Sequence, residues 1–312
     1  MPLATRLIRK VRAVGWREAV RQAVRSRVVD PREMLPLSRV NKAGLFATST
    51  DAIHEQERQQ IRATSLVFDA SQVEATYPEV FEHGGRILRY AFRPARRQSK
   101  GLVVLFHGHD AFLHMGPVRP WDDFDLLAPW DTFGLKRQGS WFWGEKGVPF
   151  VEEMVQVLIA SRRDPAKPWF CTGASMGGFA SLWHGIKFGA AGVYSMCPQV
   201  DLAAKVTDFG TDNRNNPYRA LGGEAGGPPD LVAMAEAQAD LPPLFLVQNQ
   251  YDHINRFADH AWRLLDVYNR KRGWYGLRVH PSLGHGGDGK QEEAELFFSL
   301  VVERNPPRRF AG

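Results

Sequence analysis

The chain has 312 residues, of which 44% are hydrophobic and 24% charged, the balance of an ordinary globular protein. Residues 1–30 hold eight of the 40 basic residues and two of the 34 acidic residues, which leaves 32 of each sign in the remainder. Because residues 31–312 carry no net charge, a nucleic-acid surface spread over the whole chain is excluded. The sequence also lacks the run of about 18 apolar residues that would indicate a membrane span.

The N-terminal segment predicts a basic amphipathic helix. Apolar residues recur at helical spacing within residues 1–30, and arginines occupy the other positions. We expect this helix and a connector to form residues 1–50, separate from a catalytic domain over 51–312. Packing on its own domain, contact with an anionic membrane surface or a partner, and a mitochondrial presequence remain open for the helix. Because its charges leave no room for the apolar core of a secretory signal, we expect a cytoplasmic protein, with its oligomeric state open.

After the connector, apolar runs predict strands that alternate with helices. In chain order they are strands at 66–68, 87–92 and 102–106, a helix at 150–159, a strand at 169–172, a helix at 179–188, a strand at 193–196, a helix at 230–237, a strand at 244–247, a helix at 254–268, a strand at 277–280 and a helix at 293–302. This alternation predicts an α/β fold with a mostly parallel sheet and helices on both faces. Residues 201–242, rich in Gly, Pro, Asn and Asp, predict an insertion or short cap before the strand at 244–247.

The sharpest motif is G-A-S-M-G over residues 173–177, with a further glycine at 178. It matches G-x-S-x-G and lies between a predicted strand and a predicted helix. In a nucleophile elbow the serine stands on a strained turn, and small residues on either side let strand and helix approach each other. The motif therefore predicts Ser175 as a nucleophile, with a plain glycine-rich turn as the alternative.

A second motif, F-H-G-H-D over residues 106–110, follows the predicted strand at 102–106 directly. With both motifs, the sequence resembles the α/β-hydrolase superfamily, in its serine-esterase-like branch, over residues 64–305. The resemblance implies an oxyanion hole made by the backbone N–H groups of Met176 and His109, with a structural role for His107. It also implies a catalytic triad in the chain order Ser, Asp, His.

Two residues complete the triad that this resemblance implies. Asp252 lies in the polar turn after the strand at 244–247, and His285 lies in a glycine-flanked loop after the last predicted strand. His285 is the predicted general base, and Asp252 is the predicted acid that orients it. Asp201 follows an earlier strand end and is the alternative acid. The remaining candidate carboxylates are predicted to cap loops: Asp110 and Asp288.

An aromatic stretch between the second motif and the elbow points to a substrate surface, because loops after strand ends line the crevice of open α/β sheets. Its rings are Trp121, Phe124, Trp130, Phe133, Trp141, Phe142 and Trp143. Three of them are predicted substrate contacts: Trp121, Trp141 and Trp143. They would stack on sugar faces or hold an acyl chain; packing of the insertion is the alternative. Basic residues nearby would favour an acidic substrate: Arg119, Lys136 and Arg137.

The predicted function is that of a serine hydrolase that cleaves a carboxylic ester through an acyl-enzyme, without cofactor or metal. A loose similarity to bacterial enzymes that add or remove acetyl groups on surface glycans implies a small-molecule or glycan ester. Acyl transfer to another acceptor and a non-catalytic binding protein of the same fold are the alternatives. A metallo-hydrolase pattern starts at His107 and fails at Ala111. Both cysteines, Cys171 and Cys197, lie in apolar runs and are predicted to be reduced.

Overall fold

A computed structural model describes residues 74–109, 118–135, 138–202, 218, 221, 229–252, 254–286 and 289–304. Several predicted features lie outside these residues: the basic helix and connector of residues 1–50, the strand at 66–68, most of 201–242, Asp110, Lys136, Arg137 and Asp288. Among the described helices, none combines the length and apolar character that crossing a membrane requires.

One eight-stranded sheet organises the described residues. Its strands are β1 (Glu79–His83), β2 (Arg86–Arg93), β3 (Leu102–Phe106), β4 (Asp125–Trp130), β5 (Trp169–Ala174), β6 (Gly192–Met196), β7 (Leu244–Tyr251) and β8 (Tyr275–Leu283). They are arranged in the order β1-β2-β4-β3-β5-β6-β7-β8. The strands from β3 to β8 all run parallel to one another, whereas β2 pairs antiparallel with both β1 and β4. This arrangement confirms the predicted, mostly parallel sheet.

Helices cover both faces of this sheet. They are α1 (Phe150–Arg162), α2 (Met176–Lys187), α3 (Leu231–Ala237), α4 (Ala261–Lys271) and α5 (Gln291–Arg304). Successive strand residues point to opposite faces: Val104 of β3 packs in one apolar cluster with α1, α2 and α4, and Val103 packs in the other with α5. Burial on both faces explains why the central strands are short, continuous apolar runs.

Two strands were not predicted, and two helices begin three or more residues away from their predicted starts. β1 is a half-exposed edge strand joined to β2 by Gly84 and Gly85, which both have positive φ. β4 contains Pro129, a residue that argues against a strand when only the sequence is read. α2 begins at Met176, directly after the elbow, and α4 begins at Ala261, seven residues later than predicted.

A buried histidine in α2 makes the stability of this fold sensitive to acid. His184 is fully buried, with its Nδ1 2.8 Å from the Gln156 amide nitrogen and its Nε2 3.0 Å from the Phe142 carbonyl oxygen. Burial lowers its pKa to about 4, although the hydrogen bond to Phe142 acts in the opposite direction. The unfolded chain therefore binds a proton on this ring at a higher pH than the folded chain does, and stability falls as the pH drops from about 6.5 to about 4.

We expect His184→Gln to remove this part of the pH dependence, which amounts to about 3 kcal/mol when fully developed. The measurement is urea unfolding of wild type and variant across the acid range, compared as the slope of unfolding free energy against pH. His83→Gln, at a histidine whose side chain is 33% exposed, controls for the substitution itself. Equal slopes for wild type and His184→Gln would show that His184 does not cause the acid sensitivity.

Candidate active site

Ser175 stands on a strained turn between β5 and α2. Its backbone angles are φ 57° and ψ −116°, a conformation that residues other than glycine rarely adopt. Strain of this kind costs about 1–3 kcal/mol and persists only where the surrounding structure enforces it. The side chain is partly exposed, although the residues after it are buried. The turn therefore holds the hydroxyl at the start of α2, clear of the strand.

The glycines around Ser175 are required by close backbone contacts. A Cβ on Gly177 would lie 2.1 Å from the Phe106 carbonyl oxygen, and one on Gly173 would lie 2.3 Å from the Gly177 carbonyl oxygen. A Cβ on Gly178 would lie 2.7 Å from the carbonyl oxygen of Met196. The small residues thus let the first turn of α2 rest against the carboxyl ends of β3 and β6.

The structure brings Ser175, His285 and Asp252 together in one hydrogen-bonded chain. Oγ of Ser175 is 2.8 Å from Nε2 of His285. Nδ1 of His285 is 2.9 Å and 3.1 Å from the two carboxylate oxygens of Asp252. With the imidazole neutral and its proton on Nδ1, the ring donates to the carboxylate, and Nε2 accepts the hydroxyl hydrogen. This arrangement can move a proton away from the serine.

The loop after β7 holds the carboxylate of Asp252 in a fixed orientation. The side chain is fully buried. One carboxylate oxygen accepts the backbone N–H groups of Ile254 and Asn255 at 2.9 Å and 2.8 Å. The alternative acid, Asp201, instead forms an ion pair with Arg263. The geometry therefore favours Asp252 over Asp201 as the partner of the histidine.

Two amide side chains next to Asp252 were not identified from the sequence. The Gln248 amide donates to the Asp252 carboxylate at 3.2 Å and to the Asn255 carbonyl at 2.9 Å. The Asn255 amide donates to the Cys197 carbonyl at 2.6 Å. The polar run Q-N-Q-Y before Asp252 was the available signal, because polar residues at the end of a buried strand need partners.

Cys197 is a second group that the sequence did not single out as part of the site. It follows β6 directly, has φ 36°, and is 1% exposed. Burial, followed by the nearby charge of Asp252, raises the pKa of its thiol to about 12, and backbone N–H groups of Ser175 and Gly286 at the sulfur oppose that rise. The neutral thiol thus lies between the elbow and the histidine loop.

Comparison with known proteins identifies the fold of the chain. No family model matches the sequence, and no curated protein matches it. Dipeptidyl peptidase 4 of Porphyromonas gingivalis aligns with a TM-score of 0.52 at 10% identity, over 72% of this chain and 35% of that chain. The chain has the α/β-hydrolase fold.

Two further solved structures align with the chain at slightly lower TM-scores. Acylaminoacyl peptidase of Pyrococcus horikoshii has a TM-score of 0.49 at 12% identity, over 75% of this chain and 42% of that chain. Capsule O-acetyltransferase of Neisseria meningitidis serogroup A has a TM-score of 0.48 at 16% identity, over 72% and 94% of the two chains.

In this fold the two predicted oxyanion donors lie at the start of α2 and after β3. Met176 is the first residue of α2, and the first N–H groups of a helix have no partner within it. The His109 ring packs on Trp141, with ring centroids 5.3 Å apart. His107 accepts the Asp131 backbone N–H on Nε2 at 2.9 Å, so its ring is tied to the backbone. The oxyanion hole itself stays a prediction.

A buried carboxylate at the end of β4 shapes the loop beside these donors. Asp131 is fully buried, and its side chain accepts three backbone N–H groups, from Phe133, Ser140 and Phe142. Burial raises the pKa of Asp131, and these N–H groups act against that rise. A Cβ on Gly139 would lie 2.6 Å from Sδ of Met176. The loop closed by Asp131 therefore packs directly on the side chain of an oxyanion candidate.

Two of the three tryptophans predicted to contact substrate belong to the core. Trp141 is fully buried and donates its indole N–H to Gln199 at 2.5 Å. Trp121 is 4% exposed and stacks on Phe298 of α5. The burial of both rings favours the alternative, in which they pack the core. Trp143 is partly buried, and its role as a substrate contact stays a prediction.

Proposed function

We propose that this α/β-hydrolase is a serine hydrolase that cleaves a carboxylic ester or related acyl group through an acyl-enzyme on Ser175. The observation that carries the proposal is the hydrogen-bonded chain from Ser175 Oγ through His285 to Asp252. His285 Nε2 takes the serine proton as Oγ attacks the acyl carbon, and it returns that proton to the leaving alcohol. Asp252 keeps the ring in the tautomer with Nδ1–H and stabilises the imidazolium.

The negative oxygen that forms during attack needs donors that are already in place. In our proposal these are the backbone N–H groups of Met176 and His109, each worth about 3 kcal/mol of transition-state stabilisation. Water then attacks the acyl-enzyme with the same proton transfers. Acyl transfer differs only in the second nucleophile, an acceptor hydroxyl in place of water. A glycan-type ester is our proposed substrate class, with Trp143 as the ring available to it.

A fluorophosphonate probe tests this proposal, because such probes phosphonylate a serine that an adjacent base activates. We expect one adduct on Ser175 of the purified protein, found by intact mass and peptide mapping, and none on Ser175→Ala. Absence of an adduct on folded wild-type protein, or an equal adduct on the alanine variant, would overturn the assignment of the nucleophile.

A further inference from the structure

Three potential metal ligands meet at the back of the triad. The thiol sulfur of Cys197, a carboxylate oxygen of Asp252 and a ring nitrogen of His285 all lie within 4.8 Å of one another. Cys197 and Asp252 are buried, and His285 is partly exposed. The proposed hydrolysis uses the carboxylate and the imidazole, and it gives the thiol no task. A sulfur, an oxygen and a nitrogen in one cluster form a ligand set typical of zinc.

We propose that Cys197, Asp252 and His285 form a binding site for a thiophilic divalent cation such as Zn²⁺ or Cd²⁺, and that the bound cation switches the enzyme off. The cation is an inhibitor in this proposal and takes no part in the reaction. The inhibitory effect rests on the proposed function, whereas the binding site rests on the three ligands alone.

Charge balance favours occupancy of this buried site by a dication. A thiolate on Cys197 and the carboxylate of Asp252 together carry two negative charges, and the imidazole of His285 is neutral. A divalent cation cancels these charges, so the loaded cluster carries no net charge. Buried charges are tolerated in proteins when they are paired or bound to metals.

The spacing of the ligands is close to what tetrahedral coordination needs. Zinc bonds of about 2.0–2.3 Å hold neighbouring ligand atoms about 3.3–3.8 Å apart. The ligand atoms lie up to 4.8 Å apart in the structure, so they have to move about 1 Å closer together to bind the metal. Gly284 and Gly286 flank His285, with φ values of 90° and 143°, and a Cβ on Gly284 would meet nothing within 4 Å. The space beside Gly284 is thus open, while its backbone is hydrogen-bonded to the Tyr251 carbonyl and the Asn249 amide.

Metal binding at these atoms would block the general base. In the resting site the thiol carries one proton and Nδ1 of His285 carries another. Bound metal replaces both: one proton leaves to solvent, and the ring keeps a single proton on Nε2. That nitrogen then donates to Ser175 and can no longer accept its proton. The nucleophile therefore stays a neutral hydroxyl.

A cadmium titration of the full-length, tag-free protein tests the site without relying on activity. Thiolate bound to Cd²⁺ gives an ultraviolet charge-transfer band, and the chain contains two cysteines. We expect the band in wild type and in Cys171→Ala, saturating at one equivalent, and its loss in Cys197→Ala. His285→Ala, which keeps the thiol, should bind Cd²⁺ more weakly. A wild type without the band, or a band that persists in Cys197→Ala, would overturn the proposal.

Fluorophosphonate labelling with and without Zn²⁺ tests the inhibition. Each variant is compared with its own metal-free rate. We expect Zn²⁺ to slow labelling of wild type and Cys171→Ala, a chelator to restore it, and Cys197→Ala to lose the effect. Equal inhibition of Cys197→Ala would place the metal elsewhere and overturn the proposal. A third outcome separates the two proposals: the protein gives the charge-transfer band, but Ser175 is not labelled even without metal. That result would support the metal site and would contradict only the proposed hydrolase function.

Discussion

Replacing Asp252 by asparagine is expected to lower the turnover number about 10⁴-fold while the protein stays folded. The asparagine oxygen can still accept the backbone N–H groups of Ile254 and Asn255, so the loop should keep its geometry. The amide cannot accept the Nδ1–H of His285 in the same way, and the ring then favours the tautomer with its proton on Nε2. The rate of fluorophosphonate labelling and the turnover of a responsive ester both measure this loss.

Asp201→Asn is the matched control for this prediction. Asp201 was the competing acid in the sequence, and in the structure it pairs with Arg263. The Asp201 side chain is 23% exposed and that of Arg263 is 43% exposed; pairs near the surface are usually worth about 0–1 kcal/mol. We expect labelling of the control to stay close to that of wild type. A large loss in Asp201→Asn with little change in Asp252→Asn would show that the acid had been assigned to the wrong strand end.

Gly177→Ala is expected to destabilise the fold by about 3 kcal/mol or more, and with it to abolish labelling of Ser175. The added Cβ would lie 2.1 Å from the Phe106 carbonyl oxygen and 2.7 Å from that of His107. These are backbone atoms of β3 and of the residue after it, so neither can rotate away. Intrinsic helix propensity alone would favour alanine over glycine by about 1 kcal/mol. Urea unfolding therefore tests the sign of the effect as well as its size.

Gly192→Ala in β6 supplies the comparison. The nearest atoms to a Cβ at that position lie 3.4–3.5 Å away, which is ordinary contact. We expect its unfolding free energy to change by about 0.5 kcal/mol or less. If both alanine variants unfolded at the same urea concentration as wild type, α2 would have room to move and the close-contact account of the motif would fail.

The parallel part of the fold was predictable because its signals are local. Buried strands such as β3 and β5 are continuous apolar runs, and G-A-S-M-G marks the strand-to-helix turn at Ser175. Asp252 and His285 also carried local signals, a polar run at a strand end and flanking glycines. Only the structure shows that the two side chains meet, because β7 and β8 are neighbours in the sheet.

Other features depend on contacts that no local pattern shows. The aromatic stretch looked like a substrate surface, yet Trp121 stacks on Phe298, a residue 177 positions later that no spacing links to it. The apolar run around Cys197 correctly predicted a buried thiol. Its position beside Asp252 depends on the turn after β6, which the sequence pattern does not show. The β1–β2 hairpin, by contrast, does carry a local signal in Gly84-Gly85, a dipeptide suited to a two-residue turn.

The placement of Ser175, Asp252 and His285 after three different strands has a consequence for refolding. Ser175 follows β5, Asp252 follows β7 and His285 follows β8, so the hydrogen bond between the first and last of them closes a separation of 110 residues. Contacts of such long range form late, because the intervening chain has to be ordered first. Covalent labelling of Ser175 during refolding would thus report the fraction of molecules in which the site is fully assembled. Spectroscopic signals of helix formation in α1 or α4 would rise earlier.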